Sequence, residues 1–248
     1  MQIVYSPLDA LTLAQQNPDR EIVFVGVGFE TTTPLVAMAI KRAAAAGLKN
    51  FSVFGAHKNM PGALEAIIND PQLKVDALIL PGHVSTIIGA EPYRFLAEKY
   101  GIPGVITGFE PVDVLQGIAM IMRQLHEGRA DIEIAYARGV MPEGNPVALA
   151  AIDEVFETCT ALWRGLGEIP GSGYRIREEF AQFDAVRRFQ PDVEPTQDPK
   201  GCRCGDVLRG IMAPNECPLF RKVCTPENPV GPCMVSSEGS CAAYHRYY

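Results

Sequence analysis

The chain has 248 residues, of which 47% are hydrophobic and 21% charged, and its formal net charge is -7. That is a core-forming globular composition, and an acidic balance with no concentrated run of Lys and Arg argues against nucleic acid or an anionic membrane as a partner. The start, MQIVYSPLDALTLAQQNPDR, lacks the basic, apolar and small-residue regions of a secretory signal, and no apolar run approaches the roughly 20 residues of a membrane span, so a reducing cytoplasm is the expected compartment.

From Met1 to about Ala137 short β-branched runs alternate with helical stretches. MQIVYS leads into a helix over LDALTLAQQ; EIVFVGVGF and FSVFGAHK flank a helix over PLVAMAIKRAAAAG. The alternation continues through ALEAIIND, VDALILPGHVS, YRFLAEKYG, IPGVITGFEP, a helix over VDVLQGIAMIMRQLHEG, and IEIAYARG. Such alternation builds parallel sheets covered by helices. GFETTTP at residues 28–34 and GFEPVDV at residues 108–114 both follow an apolar strand and open a helix, an echo that fits two related halves.

Further on, a long helix is predicted over PVALAAIDEVFETCTALWRGLG, with Pro146 in its first turn, where a missing N–H costs nothing, and IPGSGYRI breaking it. QPDVEPTQDPK at residues 190–200 reads as a linker, and the Cys-, Pro- and Gly-rich tail beyond it has too little aliphatic material for a core of its own. A module of that size usually needs a staple such as a metal. The expected fold class is therefore α/β, with two related parallel-sheet halves at 1–62 and 63–190 followed by a small Cys-rich module at 191–248.

In open parallel sheets ligands sit beyond the carboxyl ends of the strands. Four predicted strands end there in polar residues: Glu30 with Thr31 and Thr32, His57 with Lys58, His83 with Ser85, and Glu110 with Asp113. Each has an ordinary explanation when taken alone. Thr33 before Pro34 matches a helix N-cap and first turn, and each histidine could sit in a turn or cap a strand. It is their joint position that makes Glu30, Thr31, Thr32, His57 and His83 a candidate cleft edge. Cys159 falls inside the predicted long helix as a small buried hydrophobe, and His126 reads as a solvated helix end.

Six of the seven cysteines lie in residues 202–241, as one C-x-C followed by gaps of 12, 6, 8 and 7 residues. No zinc-knuckle pair exists, and a disulfide framework would need an oxidising compartment. A cubane iron–sulfur cluster accepts four thiolates from irregular spacings in an apolar shell, which Pro218, Leu219, Phe220, Met234 and Val235 could supply. From spacing alone a cluster, a zinc site and thiol redox chemistry all stay open.

CRCGDVLRG, CPLF and CTPENPVGPCMVSSEGSCAAY, together with GFETTTP, AHK, PGHVSTIIG, GFEPVDVL and WRGLGEIPGSGY, closely resemble the HypD family of hydrogenase maturation factors over essentially the whole chain. The resemblance implies a scaffold for the Fe(CN)2CO unit of [NiFe] hydrogenases, with iron carrying CN and CO ligands as cargo and a HypC-type chaperone and a HypE-type cyanide donor as partners. It also implies a [4Fe-4S] cluster, whose family motif C-x14-C-x6-C-x16-C falls on Cys202, Cys217, Cys224 and Cys241. Cys204 and Cys233 are left over as candidate redox thiols. HypD proteins carry a Cys-Gly-x-His-x-His motif and a GPGCPVC-like motif ahead of the matching region, whereas this chain begins at Met1 after both, so it is expected to correspond to the last two-thirds of the family. The alternative from another class is a stand-alone iron–sulfur electron-transfer or thiol-reductase protein, and a third possibility is a metal module that only staples the tail.

Overall fold

The computed structural model describes residues 1–192 and 199–248. Its contacts divide the chain into two compact units, the first made of Met1–Ala63, Ala77–Ala161 and Pro170–Asp192, the second of Leu64–Asp76, Leu162–Ile169 and the described residues of 193–248.

The first unit opens with α1 (Pro7–Gln16), started by a capping box: the Ser6 hydroxyl accepts the Leu8 N–H and the Asp9 carboxylate accepts the Ser6 N–H. The β-branched run before it is not a strand, and Ile3 and Tyr5 stay exposed, because β propensity without a pairing edge does not order a chain. β1 (Ile22–Gly28), α2 (Thr33–Ala45) and β2 (Phe51–His57) form a β-α-β unit whose strands pair in parallel, from Ile22 opposite Phe51 to Gly28 opposite His57. One face of that pair and α1 and α2 share a core of Leu11, Val36, Ile40, Phe51 and Val53, completed by Phe156, Ile176 and Phe183 from later segments.

After α3 (Met60–Ile68) a second parallel sheet is built from β3 (Leu78–Pro81), α4 (Gly82–Ile88), α5 (Arg94–Glu98), β4 (Gly104–Thr107), α6 (Pro111–Glu127) and β5 (Ile132–Ile134), with strand order β3-β4-β5. Gly128, left-handed at φ 65°, ends α6, and the fully buried Gln124 accepts the Asp131 N–H at 2.8 Å to set the start of β5. The fold class is thus mixed α/β with parallel sheets and a Cys-rich C-terminal region, as the alternation predicts.

The predicted long helix is where sequence and structure part. α7 (Pro146–Val155) begins as expected, with Pro146 in the first turn and the Asn145 side chain accepting the Val147 and Ala148 N–H groups. It stops at Val155, and the rest of the stretch becomes β6 (Phe156–Trp163), paired with β7 (Gly167–Ile176). FETCTALW carries Phe, two Thr and Trp, residues that suit a pleated surface better than a helix interior. IPGSGYRI, read as a break, is most of β7. The first unit closes with α8 (Ala185–Phe189), capped by Asp184. Of the predicted linker, residues 193–198 lie outside the described residues.

In the second unit, α9 (Cys204–Leu208), α10 (Pro232–Val235) and α11 (Ser240–Tyr247) are short and joined by turns. Among the described residues its core is Cys204, Phe220, Cys224, Cys233, Met234, Cys241 and Ala242, so cysteines are four of its seven members. Arg209 ties the unit together by bridging the Asp70 and Asp206 carboxylates at 2.5 and 2.6 Å. Among the described residues no helix is long and apolar enough to cross a membrane.

Candidate functional site

At the carboxyl ends of β1 and β2 the Lys58 N–H donates to the Gly28 carbonyl at 2.9 Å, which holds the two strand exits side by side. Glu30, just beyond β1, is 1% exposed; its Oε1 accepts the Met60 N–H at 2.9 Å, while Oε2 has no partner among the described residues. Burial raises its carboxyl pKa against that backbone hydrogen bond. His57, the last residue of β2, is 2% exposed with neither ring nitrogen partnered among the described residues, and burial lowers its pKa to about 4, so it is a neutral imidazole near pH 7. The ring fits against β1 because residue 26 is glycine: a Cβ there would lie 2.7 Å from His57 Cε1.

His57 and Thr32 both line a cavity of about 190 Å³ whose other walls include Tyr5, Ser6, Val25 and Val27. Thr31 and Thr32 are exposed, and the Thr32 and Thr33 hydroxyls donate to the Phe29 carbonyl at 3.2 and 2.9 Å. Thr33 is therefore not the N-cap that its position before Pro34 implies; it is the first residue of α2, and Thr32 precedes it without a side-chain cap. Sequence reading missed Asn59, which fastens β7 across the β2 exit: its N–H donates to the Ser172 carbonyl at 2.9 Å and its Nδ2 to the Gly171 carbonyl at 2.6 Å.

At the second sheet, His83 stands exposed in the first turn of α4, its ring 4.3 Å from that of Phe109. Asp113 is buried in the first turn of α6 and receives both terminal nitrogens of Arg138, at 2.7 and 2.6 Å, which holds its carboxyl below the usual range. The Arg138 guanidinium also lies 4.6 Å from the centre of the Tyr136 ring. Glu30, Thr32 and His57 thus gather at the β1–β2 exits, and His83 sits at the exits of the β3–β4 pair with Glu110 and Asp113. Arg138 was legible in principle, because AYAR at residues 135–138 directly follows β5 and so lies at a strand exit.

All six tail cysteines, Cys202, Cys204, Cys217, Cys224, Cys233 and Cys241, line one small cavity with Leu219, Phe220 and Met234. Cys204 and Cys233 are joined as a disulfide with Cα atoms 6.3 Å apart. Cys202, Cys217, Cys224 and Cys241 are not part of that disulfide, and Cys241 is pushed up to about 11 by burial first and then by the neighbouring charges of Cys217, Cys224 and Cys202. The other three are thus close enough to disfavour the Cys241 thiolate, which is the condition a bound cation relieves. Among the described residues no three His, Cys, Asp or Glu side chains converge on a single metal ion. A cubane sets its thiolates further apart than one ion does, and four cysteine sulfurs in an apolar shell suit it in donor chemistry. Cys159, by contrast, lies half-buried on β6 rather than inside a helix.

Comparison with known proteins bears on the whole of this arrangement. The family model HypD, described as "Hydrogenase formation hypA family", matches residues 1–248. The chain is 52% identical to the hydrogenase maturation factor HypD of Rhodobacter capsulatus, 48% identical to that of Cupriavidus necator and 49% identical to that of Azotobacter vinelandii. In each case the match covers 100% of this chain and 67% of the relative. A match of that identity, over every described element of both units, means that the chain belongs to the HypD family of hydrogenase maturation factors.

Proposed function

We propose that this chain works in [NiFe] hydrogenase maturation as the part of a scaffold that holds a [4Fe-4S] cluster through Cys202, Cys217, Cys224 and Cys241 and offers a strand-exit cleft to the iron unit under construction. The observation that carries the proposal is the gathering of those four cysteines around one apolar cavity, with the remaining two cysteines of the tail paired to each other. When bound, such a cluster supplies one-electron transfer. The Cys204–Cys233 pair supplies a dithiol/disulfide couple in the same cavity wall.

The cleft residues have separate duties in this reading. Glu30 is a buried carboxyl whose affinity for a proton is raised by burial and which has one oxygen unpartnered among the described residues, and the neutral His57 presents a lone pair and an N–H that are likewise unpartnered there. Both are suited to hold or hand over a proton at a ligand of the incoming iron, whose CN and CO groups accept hydrogen bonds. Thr31 and Thr32 supply exposed hydroxyls beside them, and His83 an exposed imidazole at the second sheet. The iron with its CN and CO ligands is cargo, with a HypC-type chaperone delivering it and a HypE-type protein donating cyanide.

Anaerobic incubation of the purified chain with ferrous iron and sulfide, followed by desalting, tests the reading. Bound iron and sulfide in equal amounts, with visible sulfur-to-iron charge-transfer bands that bleach on reduction, is the expected result. A chain that leaves the column without iron, or that holds zinc in preference under the same conditions, would sink it.

A further inference from the structure

Residues 230 and 231 pass between the sulfurs of the tail without contributing one. The Val230 N–H donates to Cys224 Sγ at 3.4 Å, and the Val230 carbonyl accepts from Arg164 Nη2 at 3.3 Å, so this peptide is held at both of its polar ends. The next residue, Gly231, has φ -102° and ψ 158°, an extended conformation open to any amino acid. Its lack of a side chain must therefore serve space and not torsion. A Cβ on residue 231 would overlap Cys202 Sγ and would lie 3.8 Å from Cys204 Cβ. The Gly231 carbonyl in turn accepts the Met234 and Val235 N–H groups, at 3.0 and 3.2 Å, and so opens α10, the turn of helix that carries Cys233.

We propose that Gly231 is a positioning residue for the thiol set: its bare Cα is the seat that lets Cys202 Sγ reach the same cavity as Cys224, while the adjoining Val230 amide fixes the Cys224 sulfur. The role rests on the cluster reading of the preceding section. It follows from general packing physics that any side chain at 231 must push the Cys202 sulfur out of line, since close-packed interiors have no slack for an added methyl. The same short stretch thus places two of the four sulfurs, Cys202 through the bare Cα of Gly231 and Cys224 through the Val230 N–H.

A double-mutant cycle in the iron-free protein, combined with iron–sulfide uptake, tests this. Gly231→Ala is expected to lower the unfolding midpoint in the wild-type background and to have no such effect in Cys202→Ala, where the overlapping sulfur is gone. Gly231→Ala is also expected to lose most of the iron and sulfide that the wild-type chain takes up, whereas Gly55→Ala, whose added Cβ meets nothing, keeps it. Equal destabilisation in both backgrounds would overturn the contact, and undiminished uptake by Gly231→Ala would overturn the positioning role. The cycle is run without iron, so a wild-type chain that takes up no cluster overturns the ligand role together with the cluster reading and is told apart from a failure of the contact itself.

Discussion

The strand-exit site and the cysteine module are held in place by different kinds of structure. Glu30 and His57 are buried because a conventional core of Val36, Ile40, Phe51 and Val53 fixes β1, β2 and α2, and the two polar groups ride on that frame without contributing to it. In the module the functional atoms are the frame, since Cys204, Cys224, Cys233 and Cys241 are four of the seven residues in its core. A site that rides on a core can lose its chemistry and keep its fold, whereas a site that is the core loses both together.

The largest effect is expected where the two roles coincide. Replacing Cys202, Cys217, Cys224 or Cys241 by Ala should in each case abolish iron–sulfide uptake, and for the buried Cys224 and Cys241 should also lower the unfolding midpoint of the second unit. Trp163 lies in that unit and is the chain's single tryptophan, so its fluorescence reports the transition. Full uptake by any one of the four variants would remove that residue from the ligand set.

Next in size is the disulfide. Cys204 and Cys233 are 29 residues apart, and opening a loop of that length costs about 2–4 kcal/mol in the chain-entropy account. Reduction of the iron-free protein should therefore shift the Trp163-detected urea midpoint downward, with no matching shift in a Cys204→Ala/Cys233→Ala variant. An unchanged midpoint would mean that the pair contributes nothing to holding the tail together.

At the strand exits the expected effects are in pH dependence. His57 titrates near 4 when folded and near 6.5 when unfolded, so the unfolded chain binds the extra proton between those values. Stability from this group is complete above pH 6.5 and falls as pH is lowered towards 4, by up to about 3 kcal/mol at 1.36 kcal/mol per pH unit. Glu30 acts in the opposite sense: its folded pKa is raised above 4.5, so its contribution is present at low pH and is lost as pH rises past the unfolded value. Glu30→Gln should leave stability rising with pH across the His57 window, and His57→Gln should leave it falling as pH increases. Parallel profiles for the two variants in urea titrations of the first unit would contradict the assignment of opposed, buried groups.

The smallest effect belongs to Cys159. It is half-buried on β6 and belongs to neither site, so Cys159→Ala should change stability by about 1 kcal/mol or less and leave iron–sulfide uptake intact. Loss of uptake in this variant would break the division between the two regions.

The two regions also differed in how much of them could be read in advance. Strands β1 to β4 were legible because each is a compact apolar run followed by a helix start, and the parallel pairing follows from that order. The end of α7 was not, because the apolar spacing of AAIDEV continues into FETCTALW, and only the pairing of β6 with the β7 strand that follows it reveals the change of period. His57 and His83 look alike in sequence, each at the end of an apolar strand. What separates them is that β7 returns past the β2 exit, where Asn59 fastens it, while His83 stands exposed with the Phe109 ring against it. In the tail, the resemblance to the family assigned four ligands and left two thiols over. That Cys204 and Cys233 meet each other depends on the turns between α9 and α10, which carry no periodic signal.

In the proposed reading the tail holds two distinct sets of sulfur, four ligands and one disulfide pair. Thiol trapping by an alkylating reagent, applied anaerobically to the iron–sulfide-loaded chain and read by peptide mass spectrometry, measures this directly. The account predicts that Cys159 is labelled, that Cys204 and Cys233 are recovered as a linked peptide pair, and that Cys202, Cys217, Cys224 and Cys241 are protected until the iron is chelated away. Rapid labelling of any of those four in the loaded protein, with Cys204 or Cys233 protected by iron in its place, would contradict it.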